Sequence, residues 1–286
     1  MKINIEKIKK EKPIQSLLQF GIINIDKPVG PTSFSITDYI RKSLDLNKTS
    51  HMGTLDPAVS GVLPILLGRA CRLSDYFMHK NKTYVGIMRL HKEVGERVLE
   101  KTIKKFIGKI KQLPPVRSRV KRAVREREVL SFDVLEIEGK DILFSTEVQA
   151  GTYIRKICDD IGKDLGFGAH MLELRRTKAG LFSEDKIYNL YDFDKAVQEY
   201  KGGKEEKLRE MIVPAEIIST FMPIIEVTDK RILKQLLTGK PLMNSDIKDK
   251  LPEEERFCIF NNDIFIGVYK KTEEGDIIAR AEFVFN

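Results

Sequence analysis

The chain has 286 residues, and its composition of 42% hydrophobic and 32% charged residues excludes a disordered or collagen-like protein. At about 150 residues per domain, this length favours two domains, which can differ in size. The formal net charge of +8 favours a polyanionic partner, nucleic acid before an anionic membrane, although a solvated basic surface explains it equally well.

Hydrophobic periodicity and turn residues predict the elements of a larger N-terminal part. Residues 1–20 are predicted to form a charged arm that ends in a short apolar turn, and a first strand follows at 21–26. Thr32 or Ser33 then caps a helix. The further predicted elements are strands at 82–91, 128–137, 142–150 and 171–177, a hairpin turn at 138–141, a helix at 94–106, and a helix through 165 that Thr152 caps.

A smaller unit is predicted after a boundary near 214–222. It contains a helix at 229–237 and strands near 256–260, 263–269 and 277–284. The predicted division is an arm at 1–20, a larger domain at 21–221, and a compact α+β or barrel-like domain at 222–286.

The cysteines and histidines predict neither a metal site nor a disulfide framework. The three cysteines are far apart and form no C-x-x-C pair, and the four histidines lack metal-ligand spacing. This cysteine usage is typical of a reducing cytosol, so we expect a cytoplasmic protein. No apolar run approaches the ~18 residues of a membrane span, and the charged N-terminus is unlike a signal peptide.

One segment carries the strongest chemical signal. It reads His51-Met52-Gly53-Thr54-Leu55-Asp56-Pro57. By residue type alone, an aspartate followed by proline is most often a helix N-cap and first position, so a structural role for Asp56 is the commoner explanation.

Together with three further motifs, this segment resembles the TruB-type pseudouridine synthases, in which the loop reads H-x-G-T-L-D-P and its aspartate is catalytic. The matching segments at 25–33, 51–57, 151–155 and 168–177 follow the order of the family. Four motifs in order make a chance match improbable. The resemblance runs from about residue 12 to the C-terminus.

Within this family, the chain is most similar to the archaeal dyskerin-like catalytic subunit of H/ACA ribonucleoproteins. The similarity lies in residues 13–21, in the proline- and arginine-rich run at 114–122, and in a C-terminal segment that resembles a PUA domain. The resemblance implies an α+β fold, with a mixed, mostly antiparallel sheet in the catalytic domain and a small barrel-like PUA domain after it.

The implied reaction breaks the N1–C1′ bond of uridine and joins C5 to C1′, without redox change, so no cofactor or metal is expected. One carboxylate, by resemblance Asp56, acts as a covalent catalyst on either the base or the sugar. Arg155 is the expected partner that orients this carboxylate and keeps it ionised. From the residues alone, an exposed cation on a basic helix is the commoner explanation of Arg155.

The resemblance also implies roles for four residues around the base. Tyr84 stacks on the uracil and takes part in proton transfer, and Leu174 packs beside the base. His51 assists extrusion of the target nucleotide, which must leave the RNA stack to react. Tyr153 helps to wall the pocket. Core packing is the ordinary alternative for Tyr84 and Leu174, and a loop contact with the backbone for His51.

A basic run favours RNA as the partner, although a solvated face is the default explanation of such a run. Next to the motifs it is expected to track phosphates. Its candidate RNA-binding residues are Arg117, Arg119, Lys121, Arg122 and Arg125.

Two versions of the enzyme remain open. In one, an H/ACA guide RNA and small ribonucleoprotein partners choose a uridine in ribosomal RNA. In the other, the protein acts alone on the T-loop uridine of tRNA. A non-catalytic RNA-binding scaffold is the alternative from another functional class, and the presence of Asp56, Tyr84 and Arg155 argues against it.

Overall fold

A computed structural model describes residues 3–114, 122–247 and 251–286, apart from the side chain of Glu273. The helices are α1 Ile5–Glu11, α2 Ile14–Gln19, α3 Ser33–Ser43, α4 Ser74–Met78, α5 Glu96–Lys104, α6 Ile154–Asp164, α7 Leu190–Lys201, α8 Glu206–Met211 and α9 Lys230–Leu237. The strands are β1 Gly21–Lys27, β2 Thr49–His51, β3 Val59–Leu67, β4 Lys82–Leu90, β5 Gly108–Gln112, β6 Arg125–Glu138, β7 Asp141–Val148, β8 Ala169–Ala179, β9 Phe182–Ser183, β10 Ile212–Pro214, β11 Ile224–Glu226, β12 Leu242–Met243, β13 Arg256–Asn261, β14 Ile264–Glu274 and β15 Ile277–Val284.

The chain forms two compact units. The smaller unit consists of Met1–Ile22, Leu67–Arg72 and Ile212–Asn286, and the larger unit consists of Ile23–Leu66 and Leu73–Met211. Neither unit is one continuous stretch of chain. The division into an arm and two domains at residues 20 and 221 stays a prediction.

The larger unit is built on one mixed sheet with the order β1-β3-β8-β4-β7-β6-β5. Strands β3 and β8 are parallel, and the neighbours from β8 to β5 are antiparallel. The predicted mixed, mostly antiparallel sheet is therefore confirmed. The predicted hairpin is also present: Glu138 pairs with Asp141, and Gly139 takes the positive φ of 56° that the turn requires.

Burial of the strands follows their positions in this sheet. β1 and β3 are nearly fully buried, as strands covered on both faces are. In β4 and β7 buried and more exposed residues alternate, because successive side chains point to opposite faces. The centre of the sheet therefore has one set of side chains packed in the interior and another directed to the opposite face.

The entry into α6 differs from the prediction. The hydroxyl of Thr152 donates to the carbonyl oxygen of Gln149 at 2.8 Å and does not cap the helix, which begins at Ile154. Gly151 has a φ of 82° and Thr152 N donates to Gln149 O at 3.2 Å, so residues 149–152 form a tight turn. The turn uses the threonine that the sequence pattern assigned to the cap.

The smaller unit contains a second sheet with the order β11-β13-β14-β15-β12, and α9 contributes the buried Leu236 to its core. The residues predicted to form an N-terminal arm are helical here. Asn4 caps α1 by accepting from Lys7 N at 3.0 Å, and the ammonium of Lys7 lies 2.9 Å from Asp263 Oδ2. Among the described residues, no helix has both the length and the hydrophobicity needed to cross a membrane.

Candidate active site

Backbone hydrogen bonds hold the loop that carries Asp56 at Asp56 and Pro57. Val59 N donates to Asp56 O at 3.0 Å, which closes a turn directly after the predicted catalytic residue. Gly30 N donates to Pro57 O at 2.9 Å, so the loop before α3 is bonded to the same turn. These backbone hydrogen bonds fix the position from which the Asp56 side chain projects.

Ser33 clamps the residue that precedes Asp56. Its hydroxyl donates to Leu55 O at 2.9 Å and accepts from Leu55 N at 2.8 Å, and Ser33 is 1% exposed. Thr32, the other predicted cap, caps α3 by accepting from Ser35 N at 3.0 Å. Because Thr32 caps the helix, the Ser33 hydroxyl can act on the loop, a function that a capping pattern did not reveal.

Arg176 holds the loop from the sheet below. It is 1% exposed, and its guanidinium donates from Nε to Val62 O at 2.8 Å and from Nη2 to Gly53 O at 3.0 Å. The neighbouring Arg175 forms a two-pronged ion pair with Asp26, at 2.9 and 3.0 Å. The adjacent arginines of this motif thus join β8 to the loop and to β1. The sequence motif included both arginines, but no role was predicted for either.

Lys27 is a second buried cation that holds the loop. Its ammonium donates to Val59 O at 2.7 Å and to Pro28 O at 2.8 Å, and the residue is fully buried. Burial lowers the pKa of Lys27 below its ordinary value; the charge of Asp56 opposes this shift, and the charge of Arg176 adds to it. The loop that carries Asp56 therefore rests on buried basic side chains.

Asp56 and Arg155 are brought together by this frame. Asp56 Oδ2 lies 2.7 Å from Arg155 Nη2, although the two side chains come from the loop before β3 and from the first turn of α6. The Asp56 side chain is 44% exposed and the Arg155 side chain 49% exposed. Ion pairs this exposed contribute little to stability. Their exposure leaves both side chains accessible to a ligand.

Tyr84 and Leu174 lie on the sheet face below the loop. Tyr84 pairs across the strands with Arg176, and Leu174 pairs with Gly86 and Val59. Directly paired residues point to the same face, so both side chains share the face from which Arg176 reaches the loop. Both are buried, Tyr84 at 9% and Leu174 at 7% exposure, which core packing explains equally well.

His51 lies in the segment that leads into the Asp56 loop, and Tyr153 lies in the segment that leads into α6. His51 ends β2, and its Nδ1 atom is buried without a hydrogen-bond partner in the described parts of the chain. Burial lowers the pKa of His51, and the charge of Arg176 adds to the effect, so the imidazole is neutral at pH 7. Tyr153 is half-buried and directly precedes α6.

Lys82 is a third buried cation near the loop and was not predicted. It is 5% exposed, and its ammonium donates to the carbonyl oxygens of Met78 and Lys80. A Cβ atom at Gly53 would lie 3.6 Å from Lys82 Cε, so this lysine packs directly under the loop. Burial, with a smaller contribution from the charge of Arg176, lowers the pKa of Lys82 to about 8.

This pKa predicts a pH dependence of stability. Between pH 8 and 10.5 Lys82 is neutral in the folded protein and charged in the unfolded chain, so the unfolded chain binds the extra proton and stability rises with pH. We expect the free energy of unfolding, measured by urea titration, to rise by up to ~3 kcal/mol relative to Lys82→Met across this window. Parallel pH curves for the two proteins would contradict the assignment.

The candidate RNA-binding residues are only partly covered by the structure. Arg117, Arg119 and Lys121 lie outside the described residues. Arg122 is exposed just before β6, and Arg125 is the half-buried first residue of that strand. Whether the five residues form one track therefore stays a prediction.

Two family models match the chain. The model for the TruB family pseudouridylate synthase N-terminal domain covers residues 41–154, and the model for the tRNA pseudouridylate synthase B C-terminal domain covers residues 155–219. Asp56 lies in the first matched region and Arg155 begins the second. The ion pair thus joins the two matched regions.

Curated relatives agree with these models. A probable tRNA pseudouridine synthase B from Methanopyrus kandleri is 46% identical over 224 residues, which is 78% of this chain and 66% of the relative. The protein with the same name from Archaeoglobus fulgidus is 44% identical over 223 residues, 78% of this chain and 69% of the relative. The matched region thus spans about two thirds of the length of these relatives.

Solved structures match nearly the whole chain. A Cbf5-Nop10-Gar1 complex gives a TM-score of 0.87 at 38% identity, covering 97% of this chain and 88% of the other. An H/ACA ribonucleoprotein bound to a substrate RNA containing 2′-deoxyuridine gives 0.85 at 36% identity, covering 97% and 89%. The chain therefore belongs to the TruB family of pseudouridylate synthases.

Proposed function

We propose that this protein isomerises uridine to pseudouridine in RNA, with Asp56 as the covalent catalyst. The observation that carries the proposal is the half-exposed carboxylate of Asp56, 2.7 Å from Arg155 Nη2. It lies on a loop held by three buried polar side chains, those of Lys27, Ser33 and Arg176. A loop fixed this firmly, ending in an accessible carboxylate, is suited to nucleophilic attack.

The reaction needs a carboxylate that attacks, a base that turns, and a proton that moves. Asp56 adds to the base or to C1′, and the N1–C1′ bond breaks. C5 then joins C1′, and the bond to Asp56 breaks, which releases the carboxylate. C5 loses its proton and N1 gains one. Arg155 holds Asp56 in orientation. We assign base stacking and proton transfer to Tyr84, packing beside the base to Leu174, and part of the pocket wall to Tyr153. The reaction needs no oxidant or reductant.

Extrusion of the target nucleotide is assigned to His51. Extruding a base from its stack costs a few kcal/mol, and a side chain that fills the gap offsets part of this cost. A neutral imidazole replaces it better than a charged one because less water has to be removed from it. The lowered pKa of His51 supports this role.

RNA is the proposed substrate, and small proteins are proposed partners. The curated relatives are named tRNA pseudouridine synthases, and the similar solved structures contain Nop10, Gar1 or a substrate RNA. We therefore propose a guide-RNA particle acting on ribosomal RNA, with action on tRNA alone as the second version, both in the cytoplasm. The C-terminal unit at 222–286 is proposed to act as a PUA domain.

The test is to incubate the purified protein with unmodified tRNA, and with ribosomal RNA fragments plus guide RNA and candidate partner proteins. Pseudouridine is then mapped in each RNA. Modification of ribosomal RNA only in the complete mixture supports the guided version, and modification of tRNA by the protein alone supports the stand-alone version. RNA binding without modification in any mixture supports the scaffold alternative.

Salt dependence tests the proposed phosphate contacts. We expect Arg122→Ala to reduce the slope of log affinity against log salt concentration by about 1, because one phosphate contact releases about one counterion. Arg89→Ala is the matched control, since Arg89 is already paired with Asp141. Equal slopes for the wild type and Arg122→Ala in RNA-binding titrations would remove Arg122 from the interface.

A further inference from the structure

Gln112, the last residue of β5, makes a pair of hydrogen bonds that no sequence motif indicated. Its Nε2 donates to Tyr153 O at 3.1 Å, and its Oε1 accepts from Tyr153 N at 3.0 Å. The side chain is 2% exposed. A carboxamide has one face that donates and one that accepts, so it matches both backbone groups of a single residue as a neighbouring strand would.

The clamped residue is the one from which α6 starts. Tyr153 precedes Ile154, and the N-terminus of α6 has no side-chain cap of its own. The turn at 149–152 leads directly into Tyr153. Gln112 therefore fixes the last point of the chain before the helix that carries Arg155.

The position of Arg155 depends on that starting point. Arg155 is the second residue of α6, and Asp56 lies on the separate loop before β3. The Arg155 side chain extends from the helix to this loop, where its Nη2 lies 2.7 Å from Asp56 Oδ2. Further along, α6 is anchored by the buried Ile157 and Ile161. The buried Ile154 adds an apolar contact in the first turn. The hydrogen bonds from Gln112 fix the backbone of Tyr153, from which that turn starts.

We propose that Gln112 is a positioning residue for the pseudouridine reaction, which sets the first turn of α6 and through it the Arg155 guanidinium against Asp56. The proposal rests on the proposed function, because it concerns the rate of that reaction. A purely structural role for Gln112 predicts a loss of folding stability without a specific link to Arg155. The two roles can be separated by kinetics.

The test measures single-turnover pseudouridine formation and RNA affinity for the wild type, Gln112→Met, Arg155→Lys and the double variant. We expect Gln112→Met to lower the rate by about 100-fold with unchanged affinity, as small misplacements of catalytic groups do. In the Arg155→Lys background, we expect the same substitution to lower the rate by less than about 3-fold, because the geometry it protects is already lost. Gln198→Met, the same substitution on the exposed side of α7, is the control.

Three outcomes would overturn the proposal: a rate of Gln112→Met within about 3-fold of wild type, an equal rate loss in both backgrounds, or a loss confined to RNA affinity. If Gln112→Met does not fold, Gln112→Glu takes its place, since it keeps the size and the acceptor for Tyr153 N but loses the donor. We expect it to lower the rate by about 10-fold with unchanged affinity. An inactive wild type would instead reject the proposed function itself.

Discussion

Asparagine in place of Asp56 is expected to abolish pseudouridine formation while RNA binding persists. The amide keeps the size of the side chain but is not a nucleophile, and it carries no charge for Arg155 to orient. We expect the single-turnover rate to fall by more than ~10⁴-fold, as it does when other covalent catalysts are removed. RNA affinity is expected to stay within about 3-fold, because phosphate contacts supply most of it.

A matched control separates this effect from the loss of any aspartate–arginine pair. Asp141 is paired with Arg89, and its side chain is 32% exposed against 44% for Asp56. We expect Asp141→Asn to leave the rate within about 3-fold of wild type, since exposed ion pairs contribute little. Measurable turnover by Asp56→Asn would remove Asp56 from the chemistry.

Lysine in place of Arg155 is expected to give the second-largest loss. The charge next to Asp56 is kept, but the planar fork that fixes the carboxylate is replaced by a flexible ammonium. We expect the single-turnover rate to fall by about 10²–10³-fold with little change in RNA affinity, because orientation rather than binding is lost. The measurement is a rapid-quench time course at saturating RNA.

Arg89→Lys serves as the control for this substitution, because it makes the same change in the pair with Asp141. If the rate of Arg155→Lys were close to that of Arg89→Lys, any cation at position 155 would be sufficient for the reaction. Arg155 would then keep only an electrostatic role, and Gln112 would lose its proposed effect on the rate.

The fold was largely predictable because its elements have local signals. Alternation and turn residues predicted the β6–β7 hairpin and the three long strands of the smaller unit. The cap of α6 was predicted wrongly, because threonine is as well suited to a tight turn as to a cap, and only the neighbouring chain decides between them. Helix α1 was missed because its charged residues resemble a solvated arm. Helix α2 was missed because its six uncharged residues, three of them buried, resemble a short apolar turn.

The site was less predictable than the fold. The pairing of Asp56 with Arg155 was predicted from family resemblance, since residues so far apart in sequence leave no periodic signal. Ser33, Lys82, Gln112 and Arg176 are polar side chains that pair with backbone groups inside the protein. Polar residues in a single sequence are ordinarily expected at the surface, so their burial was not predictable.

The crystal structure of Asp56→Asn bound to an unmodified RNA substrate tests the central claim most directly. We expect the target uridine to be extruded from its stack, with its ring against Tyr84 and either C6 or C1′ within about 4 Å of the substituted side chain. A bound RNA whose nearest nucleotide remains stacked, with the substituted loop facing solvent away from it, would contradict the account.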